Sequence, residues 1–115
     1  MALNHVRPGN TIYYVNSGST PITSGDLIAV GDIAAVSFGD IAPGLGGELA
    51  VTEVWQVPKT SGTAIGQGAR LYLHSATGKV DTSETAASGE TVVLAGYAWQ
   101  AAAAADTMVQ CRLRL

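Results

Sequence analysis

An all-β fold is what this 115-residue chain predicts, and three features of the sequence predict it. Fourteen glycines and recurring Thr, Val and Ile divide the chain into short extended runs separated by turns. The C-terminal run alternates strictly, with Val109, Cys111, Leu113 and Leu115 on one side and Met108, Gln110, Arg112 and Arg114 on the other. Apolar stripes at helical spacing are nearly absent. At this length a chain buries about 65% of its unfolded surface around one core, so residues 1–115 are expected to form a single domain. No linker interrupts it.

In Glu48 to Val57, Leu49, Val51, Trp55 and Val57 share a face, which predicts one strand with a bulge near Glu53. Leu71 to His74 and Lys79 to Thr82 flank Ser75-Ala76-Thr77-Gly78 and predict a hairpin, with Gly78 free to adopt positive φ. Thr91 to Trp99 predicts a strand interrupted by Gly96. Three stretches share a local grammar of apolar anchor, glycine turn and strand: Ile22 to Val30 with Gly25, Ile41 to Val51 with Gly44, and Ile65 to Leu73 with Gly68. Such units build compact barrels from long, bent ribbons. Ala101 to Ala105 favours helix by propensity, but five residues cannot sustain one, so a single helical turn or a loop is expected before Asp106-Thr107 opens the last strand. Glu84 to Glu90 is a polar loop. Residues 1–10 contain Pro8-Gly9 and little periodicity, predicting a loosely ordered N-terminal arm. With the arm taken through residue 14, residues 15–115 form the compact β domain.

Only 13% of residues are charged, against about 25% in a typical domain. So few polar groups leave exterior for partner subunits to cover, and oligomerisation is expected. The longest apolar stretch, Leu27 to Phe38, is broken by Gly31-Asp32 and falls short of the roughly 20 residues a bilayer requires. No membrane span is expected, and MALNHVRPGN lacks the marks of a secretory signal, which points to the cytosol that made the chain. A single cysteine, Cys111, allows no intrachain disulfide and no thiolate metal cage. A net charge of −3 with six Lys and Arg argues against nucleic acid as a partner.

No catalytic set emerges. The Gly25-Asp26, Gly31-Asp32 and Gly39-Asp40 dipeptides lie in separate turns rather than in one calcium loop, so each Asp is read as an acceptor for turn amides. Gly44-Leu45-Gly46-Gly47 precedes a strand, not the helix a phosphate cradle needs. His5 and His74 have no Cys, Asp or Glu at ligand spacing, and Glu48 and Glu53 point to opposite faces of an extended chain. Cys111 falls on the core face and reads as a small buried hydrophobe. No metal and no cofactor are expected. Among the aromatics Trp55 reads as core, whereas adjacent Tyr13 and Tyr14 must face opposite sides of a strand, leaving one exposed for a partner.

The order of these elements resembles the phage capsid decoration, or cement, proteins. The matching stretches are the arm leading to Ile12-Tyr13-Tyr14, ITSGDLIAVGDIAAV (Ile22 to Val36), Val54 to Lys59, AIGQGARLYLHSATGKV (Ala64 to Val80) and AGYAWQAAAAADTMVQCRLRL (Ala95 to Leu115). Nearly the whole chain is covered, except the Glu84 to Glu90 loop. The resemblance implies a β-barrel-like fold of the β-clip or β-tulip kind, assembled as a homotrimer on the outside of a phage head. The arm would then lie on the major capsid protein through Val6, Pro8, Ile12, Tyr13 and Tyr14. Such a protein stabilises the expanded lattice by binding it, without chemistry. A carbohydrate-binding β module using Trp99 or Tyr72 as a stacking platform is the alternative. A small hydrolase or isomerase has no acid, base and nucleophile set to support it.

Overall fold

The computed structural model describes residues 6–86 and 89–114. Residues 1–5 of the expected arm, Ala87 and Ser88 of the polar loop and Leu115 of the last alternating run lie outside the described residues. Among those described there are nine strands and no helix, as an all-β fold requires. Strands β1 (Thr11–Val15), β2 (Leu27–Val30), β3 (Ile33–Ser37) and β4 (Gly46–Ala50) form one antiparallel sheet in the order β1-β4-β3-β2. Strands β5 (Val54–Pro58), β6 (Arg70–His74), β7 (Lys79–Asp81), β8 (Val92–Ala98) and β9 (Met108–Leu113) form a second, ordered β5-β9-β8-β6-β7. The second sheet curls into a half-barrel. Its end strands approach where Lys59 bridges Val80 in parallel and the Thr60 N–H donates to the Val80 carbonyl at 3.0 Å.

Alternation decides which side of each strand is buried. Val109, Cys111 and Leu113 of β9 enter the main core with Val57, Leu71 and Leu73, and Leu27, Ala34 and Val36 close it from the first sheet. The opposite face of the first sheet carries a second cluster, Ala35, Ile41, Leu49 and Val51, against which Ile12 and Tyr14 pack. β3 is thus apolar toward both sides, which is why Ile33 to Val36 reads as an unbroken apolar run.

The glycine-turn grammar has a structural basis. The turns Thr23 to Asp26, Ala42 to Leu45 and Gly66 to Ala69 are each closed by a backbone hydrogen bond of 3.0–3.1 Å from the fourth residue to the first. Their third residues, Gly25, Gly44 and Gly68, have φ of 89°, 83° and 85°, the conformation a type II turn demands there. The anchors pair as well: Ile22 bridges Ile41, and Ile65 bridges Ala102. Ala102 therefore begins a fourth unit, which the missing glycine conceals. Its turn is closed by the Asp106 N–H on the Ala103 carbonyl and by the Asp106 carboxylate accepting from the Ala103 N–H at 2.9 Å. The alanine run is a loop rather than a helical turn, and β9 starts at Met108.

One expected strand is two. Glu48 to Val57 begins in β4 of the first sheet and ends in β5 of the second, and the change of sheet falls at Val51 to Glu53. The irregularity expected as a bulge is this handover, with Glu53 at φ 77°. A true bulge lies in β8. Leu71 pairs with Gly96 but Tyr72 pairs with Leu94, so Ala95 is the inserted residue. Gly96 is required there, because a Cβ would collide with the Arg112 carbonyl.

Candidate functional site

The five expected contact residues fall in two groups. Val6, which is 80% exposed, and Pro8 precede the first strand, whereas Ile12, Tyr13 and Tyr14 lie within β1. The limit drawn at residue 14 thus falls inside a strand paired with β4 from Thr11↔Ala50 to Val15↔Gly46. Tyr13 and Tyr14 do face opposite ways. Tyr14 packs on the second cluster, while Tyr13 is 62% exposed with its ring across Gly46, where any side chain would collide with it. β1 is also an edge strand. Backbone bonds from Val51 N to Asn10 O and from Asn16 N to Leu45 O set the alternation, so Ile12 and Tyr14 bond inward to β4. Thr11, Tyr13 and Val15 turn their N–H and C=O groups outward, where no described strand pairs with them.

The outer face of the second sheet is a different surface, and the β8 bulge creates it. By inserting Ala95 the bulge inverts the alternation, so Gly96 and Ala98 face the core and Tyr97 and Trp99 face outward. Across the strands this gives a row Val54, Arg112, Tyr97 and Arg70, followed by a row Gln56, Gln110 and Trp99. Trp99 is 53% exposed, and Tyr97 and Met108 are partly exposed beside it. Tyr72 first and Tyr97 after it hold the Arg70 guanidinium pKa above its ordinary value. Thr52, Tyr97, Arg112, Leu113 and Arg114 line a shallow depression of about 420 Å³.

Beyond Arg70 and Tyr72 on this side of the second sheet, His74 gathers Asp81, Ser83 and Glu90. It is 8% exposed, with Nδ1 3.0 Å from Glu90 Oε2 and Nε2 2.8 Å from both Asp81 Oδ1 and the Ser83 carbonyl. Every partner is an acceptor, so both ring nitrogens must donate, which only the imidazolium can do. Its pKa is raised accordingly, first by the Glu90 carboxylate, with burial opposing and Ser83 and Asp81 assisting. Sequence spacing gave no sign of this cluster, because its members come from β6, β7 and the connection into β8.

Buried Lys59 was also missed. Its Nζ donates to the carbonyls of Thr60, Ala104 and Asp106, pinning the alanine loop to the end of β5. Cys111 sits wholly in the core, and burial pushes its thiol up to about 11, too high for a nucleophile at neutral pH. Asp26 and Asp40 accept from the Thr23 and Ser24 amides, the turn role expected of them. Among the described residues no three His, Cys, Asp or Glu side chains are grouped to hold a metal. His5 lies outside the described residues.

An open strand edge, outward aromatics and arginines on the outer face of the curled sheet, and reactive groups engaged in holding loops define a β protein equipped for surface contact. The family described as phage cement protein matches the chain over residues 6–115. The chain belongs to that family, a structural one of the phage capsid, which points away from enzymatic activity. No curated protein and no solved structure matches it.

Proposed function

We propose that this chain binds the outer surface of an expanded phage capsid as a homotrimer and stabilises the lattice against disruption. The observation that carries the reading is the family match over nearly the whole chain. Its partner is the major capsid protein. Val6, Pro8 and Tyr13 supply exposed contacts, and the outward N–H and C=O groups of β1 can accept an extended capsid segment as an added strand, while Ile12 and Tyr14 hold that edge to its sheet. No cofactor takes part. A ligand present at a hundred times its Kd stabilises the state it selects by about 2.7 kcal/mol per site, and a trimer with linked contacts gains further through avidity. The protein is made in the host cytoplasm and ends on the capsid exterior.

Co-sedimentation with expanded and unexpanded heads tests this. The full chain should pellet with expanded heads only, and a chain lacking residues 1–10 should remain folded and trimeric but stay in the supernatant. Normal decoration by the truncated chain would remove the arm from the account. Specific signals on a glycan array would instead favour the sugar-binding alternative, for which exposed Trp99 is a better platform than half-buried Tyr72.

A further inference from the structure

Charge is segregated along this chain. Residues 8–58 contain Asp26, Asp32, Asp40, Glu48 and Glu53 and no Lys or Arg. Asp26, Asp32, Asp40 and Glu48 belong to the first sheet and its turns, and all four are exposed. Among the described residues none of them forms an ion pair; the ion pairs there are those of His74. Exposed Tyr13 is paired with Glu48, Leu45 is exposed in the turn before β4, and exposed Phe38 packs edge-on against Trp55.

The positive charge is placed oppositely. Of the six Lys and Arg, Lys59 is buried, and Arg70, Arg112 and Arg114 share the outer face of the second sheet with Tyr97, Trp99 and Met108. Among the described residues the β5-β9-β8 strand rows of that face carry no Lys, Asp or Glu side chain; Glu53 and Asp106 lie at their ends, and neither forms an ion pair with Arg112 or Arg114. Aromatics, Met and Arg without Lys or acids are the composition of a protein interface core rather than of free surface. A chain of net charge −3 thus carries one concentrated basic, aromatic face, together with its electrostatic complement on another part of the same chain.

We propose that this aromatic and arginine face docks on the acidic first-sheet lobe of a second copy, head to tail. Face-to-face pairing of two such surfaces would set arginine against arginine. Pairing the two different surfaces matches opposite charges and brings Tyr97 and Trp99 to a surface that also exposes Tyr13 and Leu45. A heterologous contact of this kind repeats from copy to copy, and with a threefold rotation between copies it closes into the cyclic trimer of the reading above, on which it rests.

Charge exchange tests it, with native mass spectrometry and sedimentation to read association and circular dichroism to confirm folding. R112E/R114E on the exposed side of β9, and separately D32K/E48K, should each weaken self-association at least tenfold at 0.15 M salt. Each reversal changes the net charge by two, so the fourfold variant returns to −3 and differs from the original in pattern alone. It should associate as the original does. A trimer unaffected by R112E/R114E overturns the proposal and leaves the trimer standing. Loss without rescue in a folded fourfold variant overturns the head-to-tail arrangement. A monomeric original chain overturns both this proposal and the trimer.

Discussion

Raising the pH should loosen Ser83 and Glu90 from the second sheet, because the contact that holds them needs a charged His74. The acceptors at Nδ1 and Nε2 are the Glu90 carboxylate, the Asp81 carboxylate and the Ser83 carbonyl, and the Glu90 side chain is only 5% exposed. A neutral imidazole satisfies one side and faces a lone pair toward a carboxylate on the other. The folded pKa is raised above the ordinary 6.5. A group shifted that way contributes its full stabilisation below about pH 6.5, and the contribution disappears as pH rises through the folded value. Charge-assisted hydrogen bonds contribute about 1.5–3 kcal/mol each. Opening of the loop to water limits the combined loss, so H74Q should cost about 2 kcal/mol at pH 6, or about 10 °C in Tm for a chain of this size. Thermal melts between pH 5.5 and 9, with amide exchange read at residues 82–91, measure it. Wild-type Tm should fall with rising pH and the variant should lack that dependence. A wild-type Tm that is flat or rises over this range, or a His74 that titrates below 6.5, would refute the reasoning.

Three further substitutions probe the fold that carries the surfaces. G96A forces a Cβ into the Arg112 carbonyl and should cost about 2–3 kcal/mol in urea titration, the size of an overpacking defect; it should also blue-shift Trp99 fluorescence if the bulge rearranges and the indole turns inward. K59M removes the ammonium bonded to three carbonyls and should lose about 2 kcal/mol, with faster amide exchange in Ala101 to Asp106. E53G replaces a side chain held at φ 77°, a conformation costing about 1–2 kcal/mol; after about 0.5–1 kcal/mol of added backbone entropy, a net gain of about 0.5–1 kcal/mol is expected in the same titration.

What is legible in the sequence is what is local. β9 alternates because one of its sides is core, the β6-β7 hairpin announces itself through Gly78, and the type II turns through Gly25, Gly44 and Gly68. Residues whose roles depend on distant partners were not readable. Leu49 and Val57 look like one strand because both are buried, yet they lie in different sheets, and periodicity carries no record of that change. Trp99 faces outward only because Ala95 is inserted opposite β6, for which Gly96 within an apolar run was the one available signal. His74 meets acids seven and sixteen residues away through a loop that closes over it. The aperiodic sequence through residue 10 led to an expected arm ending at residue 14, whereas residues 11–14 are fixed by pairing with β4, a partner more than thirty residues distant.

The central claim is attachment to a capsid, and a reconstruction of expanded heads incubated with the purified chain tests it most directly. The account predicts threefold density on the outer surface, with β1 and the residues before it against the major capsid protein. Heads without added density, or density confined to the interior, would contradict it.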